Sequence, residues 1–317
     1  MHWKLKALAQ KTIALLPSGT SYAAYYWIQR RFGSLRRVDP VSKLRAGIDA
    51  WTHLVKQGRD PSGKVFFEVG TGRVPLMPMA FWLMGSEQTI TVDLNPYLKE
   101  ELVGECLQYV VNNKNEISNL FGPLLNRTRF EDLIRFGRRS RFSLQDFLEQ
   151  CHINYIAPGD AADTSLSDGT IDFHTSYTVF EHVPCNQLVR ILEEGKRLMK
   201  EDGLFIHRID YSDHFSHSDR NITAINFLQY SDTEWDWIAG NRYMYMNRLR
   251  HDDFIDVFHS AGLKILNTYP DSDSRILEML KRRRFQLDDR FQNRSPEILS
   301  ITASWILSRK FLGSTCG

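Results

Sequence analysis

One stretch, Lys64 to Asn95, restricts the fold of this chain more than any other. Val65, Phe66 and Phe67 open a short apolar run that ends in Glu68-Val69-Gly70-Thr71-Gly72. Short runs rich in β-branched and aromatic residues, bounded by turn residues, read as buried strands. The two glycines let the backbone turn sharply and approach a ligand, because no Cβ stands in the way. Pro75 suits the first turn of a helix, where its missing N–H costs nothing. Leu76 to Leu83 is apolar all round, as a helix packed on a sheet would be. Gly85 can end it, and Thr89 to Asn95 predicts a second strand with Asp93 near its C-terminal end. Strand, glycine turn, helix, strand and acid together have a nucleoside-binding layout, with Asp93 placed to accept from both ribose hydroxyls.

The kind of nucleoside follows from what the loop lacks and what precedes it. Pro75 stands where a dinucleotide fingerprint needs its third glycine, and there is no Gly-Lys-Ser/Thr of a phosphate loop. Glu68 lies two residues before the first glycine. An acid there repels a pyrophosphate but suits a cofactor carrying an ammonium and a sulfonium. The stretch resembles motif I of the class I S-adenosylmethionine methyltransferases, Glu/Asp-x-Gly-x-Gly-x-Gly, with Val74 at the third glycine. That resemblance implies that Glu68, Gly70, Thr71, Gly72, Asp93 and Leu94 hold S-adenosylmethionine and release S-adenosylhomocysteine.

The middle of the chain extends the resemblance. The predicted third strand, Ile153–Ala157, ends in Pro158-Gly159-Asp160-Ala161, and the fourth, Ile171–Thr175, in Ser176-Tyr-Thr-Val-Phe-Glu-His-Val183. Gly-Asp-Ala, a loop with Asp168-Gly169, then Ile-Asp and Ser-x-x-Val-Phe-Glu-His-Val is similar to the middle motifs of the broad methyltransferase group that includes the ubiquinone-biosynthesis type. By that resemblance Asp160 reads the adenine amino group with Ala161 beside the ring, Ser176 and Tyr177 sit near the methionine end, and Glu181 and His182 face the substrate. Open α/β sheets bind ligands at this edge, outside the carboxyl ends of their strands. The structural alternatives are a turn-forming aspartate for Asp160 and a backbone-bonded histidine for His182. The resemblance implies a Rossmann-like, seven-stranded, mainly parallel sheet whose last strand is antiparallel.

Two stretches lie outside that frame. Residues 1–60 are basic and read as three helices, Ala7–Leu16, Tyr22–Phe32 and Val41–Gln57, forming an N-terminal helical cap. A membrane-surface or acidic-partner patch is the sharper reading of the same residues. Ala7–Leu16 lacks a signal-peptide cleavage site. Residues 97–150 are too long for an ordinary connection and read as a helical lid or dimerisation element, with helices at Tyr97–Asn113, Asn115–Phe121 and Ser143–Cys151. The remainder, 61–317, is the methyltransferase domain, with a second insertion at 210–250. Arg127, Arg129, Arg135, Arg138, Arg139 and Arg141 cluster in the first insertion as a solvated face, or as a site for a phosphorylated or nucleic-acid substrate. Net charge of +2 does not suggest nucleic acid as a partner.

The fifth strand, Leu204–Ile209 after the turn Glu201-Asp-Gly203, runs into Asp210-Tyr-Ser-Asp213-His214-Phe-Ser-His217. If helical, this segment places Asp210, Asp213, His214 and His217 on one face. They read first as a general base, since histidine titrates near neutrality and can accept a hydroxyl proton. A divalent metal on the same four residues is the less favoured alternative. Beyond it, Tyr230, Arg242 and Tyr243 belong to a mixture of aromatics, amides and guanidiniums that suits a polar ring-shaped substrate, or packs a core. Asp252–Ala261 and Arg275–Phe285 read as helices, and Leu263–Thr268 and Ile298–Leu307 as the last strands.

The expectation is an S-adenosylmethionine-dependent methyltransferase for a small or medium-sized acceptor, first a hydroxyl of a sugar or secondary metabolite. His214 or His182 takes the proton, and Glu181, His182, Asp210, Tyr230, Arg242 and Tyr243 contact substrate. Carbon or nitrogen methylation, an RNA methyltransferase, and a non-catalytic partner protein are the alternatives. Cys106, Cys151, Cys185 and Cys316 are scattered, which points to free thiols in the cytoplasm. No apolar run reaches the roughly 20 residues that span a bilayer. A homo-oligomer is compatible with the sequence.

Overall fold

A computed structural model describes residues 2–311. Helices α1 (Trp3–Ala14), α2 (Ser18–Phe32) and α3 (Pro40–Lys56) precede β1 (Val65–Val69), α4 (Leu76–Leu83) and β2 (Gln88–Val92). Then come α5 (Glu100–Asn112), α6 (Lys114–Phe121), α7 (Arg127–Gly137) and α8 (Leu144–Gln150), followed by β3 (Ile153–Ile156) and β4 (Ile171–Tyr177). The chain continues through α9 (Cys185–Leu198), β5 (Met199–Asp210), α10 (Asp232–Ala239), α11 (His251–Ser260), β6 (Leu263–Ser272), α12 (Ser274–Lys281) and β7 (Ile301–Lys310). The seven strands form one sheet in the order β3-β2-β1-β4-β5-β7-β6. β1 pairs in parallel with both β2 and β4, and β2 with β3. The strand order therefore reverses at β1/β4, the point at which open α/β sheets bind their ligands.

The chain forms two compact units. The first comprises Arg37–Tyr177, Arg190–His207 and the residues from Leu307. Its core explains the local structure. All eight residues of α4 are buried, which matches their uniformly apolar sequence. Phe66 of β1 stacks on Phe81 of α4 at 4.1 Å between ring centroids. Gly47 lets α3 and α4 approach closely, for a Cβ there would stand 2.5 Å from Ala80 Cβ. Three arginines of the 97–150 insertion make contacts within this unit: Arg129 donates to the Trp82 and Ser86 carbonyls at the end of α4, Arg135 pairs with Asp132, and Arg139 lies over Phe136.

The second unit comprises Met1–Arg36, Thr178–Val189 and Arg208–Ile306. Residues 1–60 thus divide, with α3 in the sheet unit and α1 and α2 in this one. Its core gathers Trp3, Phe215, Phe227, Trp235, Met244 and Phe291 from segments far apart in sequence. The buried Arg250 guanidinium donates to the carbonyls of Tyr211, Leu299 and Ile301. Residues 296–299 form a helical turn capped by Ser295, so the last strand starts three residues later than its alternation suggests.

Other differences have local causes. Residues 127–137 form a helix, started by the Asn126 side chain, that the arginine count concealed. The segment from Asp210 to His217 is a series of turns and not a helix, because Asp213 accepts from the Phe215 N–H and Ser212 folds back on Asp210. β5 begins at Met199, so Gly203 lies within the strand and not in a turn before it. Among the described residues no helix is long and apolar enough to cross a membrane. Cys106 and Cys151 are buried free thiols and Cys185 an exposed one, while Cys316 lies outside the described residues.

Candidate active site

The first site lies at the end of β1. Gly70 and Gly72 both adopt positive φ, 82° and 72°, a region costly for any side chain. The Gly70 N–H donates to the Val92 carbonyl at 2.9 Å, which ties the loop to the end of β2. Asp93 follows β2 directly, and its carboxylate accepts from the Gly72 N–H at 2.7 Å. Burial raises the Asp93 pKa to about 6, although that hydrogen bond and Lys43 pull it down. Leu94 beside it is exposed.

Glu68 is buried beneath the loop. It accepts from Thr91 at 2.8 Å, and Thr91 in turn meets the Thr71 hydroxyl. Burial pushes its pKa up to about 8, against Thr91 and Lys43. Lys43 was missing from the sequence reading. Its ammonium, with a pKa lowered by burial, faces Glu68 and Asp93. A signal was there: Lys43, Gly47, Ala50 and Leu54 make one stripe of α3, and the other three are buried.

Asp160 accepts from the Ala162 N–H at 2.8 Å and so forms a turn, next to the buried Ala161. Ser176 departs from the expectation of an open methionine-side contact. Its hydroxyl is fully buried and bonds His207 Nδ1 at 2.7 Å, while His207 Nε2 lies 3.3 Å from His174 Nδ1. Burial holds both histidines below their usual pKa, His174 at about 3. This hydroxyl–imidazole chain inside the sheet leaves Tyr177, half-buried at the end of β4, as the more accessible of the two.

The second site belongs to the other unit. Glu181 and His182 sit in a short helical turn that Asn247 clamps, its amide donating to the carbonyls of Phe180 and Val183. His182 Nδ1 lies 2.8 Å from the Tyr245 carbonyl, as the backbone-bonded alternative expected, and burial with neighbouring His214 lowers its pKa. Its ring meets His214 edge-on at 4.9 Å, and His214 lies 5.0 Å from the His217 ring. Asp210 Oδ2 is 3.3 Å from His214 Nε2. Its own pKa stays low, about 2: burial would raise it, but bonds from His214 and Ser212 prevail. Ligand atoms of Glu181, His182 and His214 lie within 4.8 Å of one another, as do those of Asp210, His214 and His217.

Asp213 does not join them. Its carboxylate accepts from Phe215 N–H and Asn226 Nδ2, both at 2.8 Å, and braces the turn. Tyr230, Arg242 and Tyr243, expected to contact substrate, are committed to packing. Tyr230 lies against Trp3 and Trp235, Tyr243 stacks on Tyr25 at 4.0 Å, and Arg242 donates to Ser18 at 3.0 Å. In this unit Trp3 of α1 and Tyr25 of α2 pack against the insertion, on Tyr230 and Tyr243.

Comparison with known proteins gives one family-model match and remote structural likenesses. Residues 141–207 match the family model of a methyltransferase domain. No curated protein matches the chain. Solved structures of similar outline include geranyl diphosphate C-methyltransferase from Streptomyces coelicolor A3(2), crystallised with Mg2+, geranyl diphosphate and S-adenosyl-L-homocysteine, at 12% identity, over 83% of this chain and 80% of that one, TM-score 0.43. Magnesium protoporphyrin IX methyltransferase from Synechocystis PCC 6803, with bound S-adenosylhomocysteine, shares 12% identity over 85% and 84% of the chains, TM-score 0.43. An S-adenosylmethionine-dependent methyltransferase from Methanosarcina mazei shares 12% identity over 81% and 96%, TM-score 0.43. The family-model match covers the stretch from α8 into β5, and the seven-stranded sheet and the glycine loop between Glu68 and Asp93 are features that the resemblance in the sequence implies.

Proposed function

We propose that this chain is an S-adenosylmethionine-dependent methyltransferase that acts on a hydroxyl of a small or medium-sized metabolite, with a sugar ring the first candidate, in the cytoplasm. The observation that supports the hydroxyl is the pairing of His214 with Asp210. An imidazole oriented by a carboxylate suits an acceptor that must lose its proton as it is methylated. A neutral amine has less need of such a base.

The loop fits its cofactor. Gly70 and Gly72 offer backbone without a Cβ, and Asp93 ends β2 beside them. Bound there, S-adenosylmethionine supplies a methyl carbon activated by a sulfonium. The chain's own residues do the rest. Gly70–Gly72 and Asp93 hold the nucleoside, and Glu68 and Lys43 set the charge beneath it. His214 Nε2 lies 3.3 Å from Asp210 Oδ2 as a charge pair, and the His214 imidazole takes the acceptor's proton. Asp210 then stabilises the imidazolium. His182, held by the Tyr245 carbonyl, orients beside it. The segment carrying Glu181 and His182 begins directly after Tyr177, the end of β4.

Calorimetric titration with S-adenosylmethionine and S-adenosylhomocysteine, followed by a labelled-methyl screen over sugars, hydroxylated metabolites and amines, tests this reading. His214→Ala should keep cofactor affinity and lower kcat by roughly 10²–10⁴-fold. Wild-type turnover in that variant would move the base elsewhere, and preference for an amine or carbon acceptor would replace the hydroxyl.

A second reading rests on Glu181. It is 2% exposed, and neither carboxylate oxygen has a hydrogen-bond partner. Mixed carboxylate and imidazole donors at this spacing suit a divalent transition metal such as Mn²⁺ or Zn²⁺. The ligands would be Glu181, His182 and His214, a set without Asp213. A rise in melting temperature with Mn²⁺ or Zn²⁺, absent in Glu181→Gln, supports it. No shift with either ion leaves Glu181 a protonated acid, its pKa raised well above the usual range by burial.

A further inference from the structure

Helix α1 has two apolar faces and only one is covered. Trp3, Ala7 and Gln10 point inward, with Trp3 in the core of the second unit and its N–H bonded to Asp219 at 2.9 Å. At 100° per residue, Leu5, Leu8, Thr12, Leu15 and Leu16 fall on the opposite side. Leu5 and Leu8 are each 61% exposed and Leu15 82%. Lys4 and Lys11 border this stripe on one flank. Lys11 Nζ reaches the Trp237 carbonyl at 2.8 Å and lies 4.2 Å from that ring, and Trp237 is itself exposed. On α2, Trp27 and Phe32 meet edge-on at 5.9 Å and are also exposed, next to Arg31.

Charge supplies the second observation. The first 38 residues contain Lys4, Lys6, Lys11, Arg30, Arg31, Arg36 and Arg37 and neither Asp nor Glu; the first acid is Asp39. In the rest of the chain the acids outnumber the bases, 38 to 33, so the whole chain carries only +2. Lys6 reaches Ser218, Arg30 donates to the Leu35 carbonyl, and Lys4, Lys11 and Arg31 stand next to the uncovered leucines and aromatics in the sequence.

We propose that this α1–α2 face docks on an anionic phospholipid bilayer surface. A helix lying in the interface buries its leucines at the headgroup–acyl boundary, keeps tryptophan at that level and places lysine and arginine among the phosphates. The cations of α1 and α2, helices that carry no acid of their own, match a negative membrane and disfavour a second copy of the same face. The inference is independent of the hydroxyl-acceptor reading, and cofactor binding serves as its separate control.

The test is co-sedimentation of the full chain with phosphatidylcholine vesicles, with and without phosphatidylglycerol. The protein should pellet with phosphatidylglycerol vesicles, less with phosphatidylcholine alone, and less again as salt rises. Leu8→Glu with Leu15→Glu should weaken vesicle affinity about tenfold or more. Because both side chains are exposed, melting temperature and cofactor affinity should hold. Lys4→Glu with Arg31→Glu should flatten the salt dependence. Three outcomes overturn the proposal: wild-type protein that stays in the supernatant, a leucine variant that binds as tightly as wild type, or a wild-type dimer that the leucine variant dissociates, which would make a second copy the occupant.

Discussion

Glu68 shows how far one residue's role depends on its surroundings. In sequence it reads as an ionised acid ahead of a glycine loop. In the fold, burial raises its pKa to about 8. The native state then holds a proton that the unfolded chain releases above its ordinary value of about 4.5, so this group's stabilisation is lost as pH rises from there through 8. Relative to Glu68→Gln, wild-type stability should fall by about 1.4 kcal/mol per pH unit across that window. Denaturant melts of the two proteins at pH 6, 7 and 8 check it, and parallel curves would mean that Glu68 is ionised throughout. Asp93, Gly70 and Gly72 were legible because their task is local: a turn and an acid at a strand end. Lys43 was not, because its partners stand more than twenty residues away in sequence.

At the level of elements, the pairing of α3 with α4 carries a sharp expectation. Alanine is a better helix former than glycine by roughly 1 kcal/mol. At position 47, however, the added Cβ would meet Ala80 Cβ at 2.5 Å. Gly47→Ala should therefore destabilise the protein by about 1–3 kcal/mol despite its propensity. Thermal and chemical denaturation read this directly, and an equal or higher melting temperature would show that the two helices separate without cost. The fully apolar α4 was legible from composition, and its bounds, Leu76–Leu83, are those the sequence predicts. The turn from Asp210 to His217 was not. Its helical spacing is real, but Asp213 and Ser212 bond to neighbouring backbone and so divert the chain into turns. The alternation of the last strand was read correctly in kind and displaced in register, because the Ser295 cap and the Arg250 guanidinium hold residues before it.

For the whole molecule, cofactor binding couples to folding. A ligand that binds only the native state stabilises it by about 2.7 kcal/mol at a hundred times its Kd. S-adenosylhomocysteine at that excess should raise the melting temperature of the wild type. Asp93→Ala should fold with a normal far-UV spectrum and lose roughly 10–100-fold in cofactor affinity, as expected for charge-assisted hydrogen bonds to a ribose. Differential scanning fluorimetry shows both effects, and an undiminished shift in the variant would remove the ribose role from Asp93.

By itself the sequence determined the class of sheet and the glycine loop with its acid. Each is written in short-range patterns: an apolar run, a two-glycine turn, an acid at fixed distance, repeated from strand to strand in order. Only the tertiary structure decided which polar groups are spent. It turned Ser176 onto His207, and Tyr230, Arg242 and Tyr243 into packing against α1 and α2. It drew Asp210, His214 and Glu181 together while leaving Asp213 to brace a turn. A hydrogen bond or a stacked ring is made once, with whichever partner the fold brings within reach, and residues tens to hundreds of positions apart cannot announce that choice in the chain.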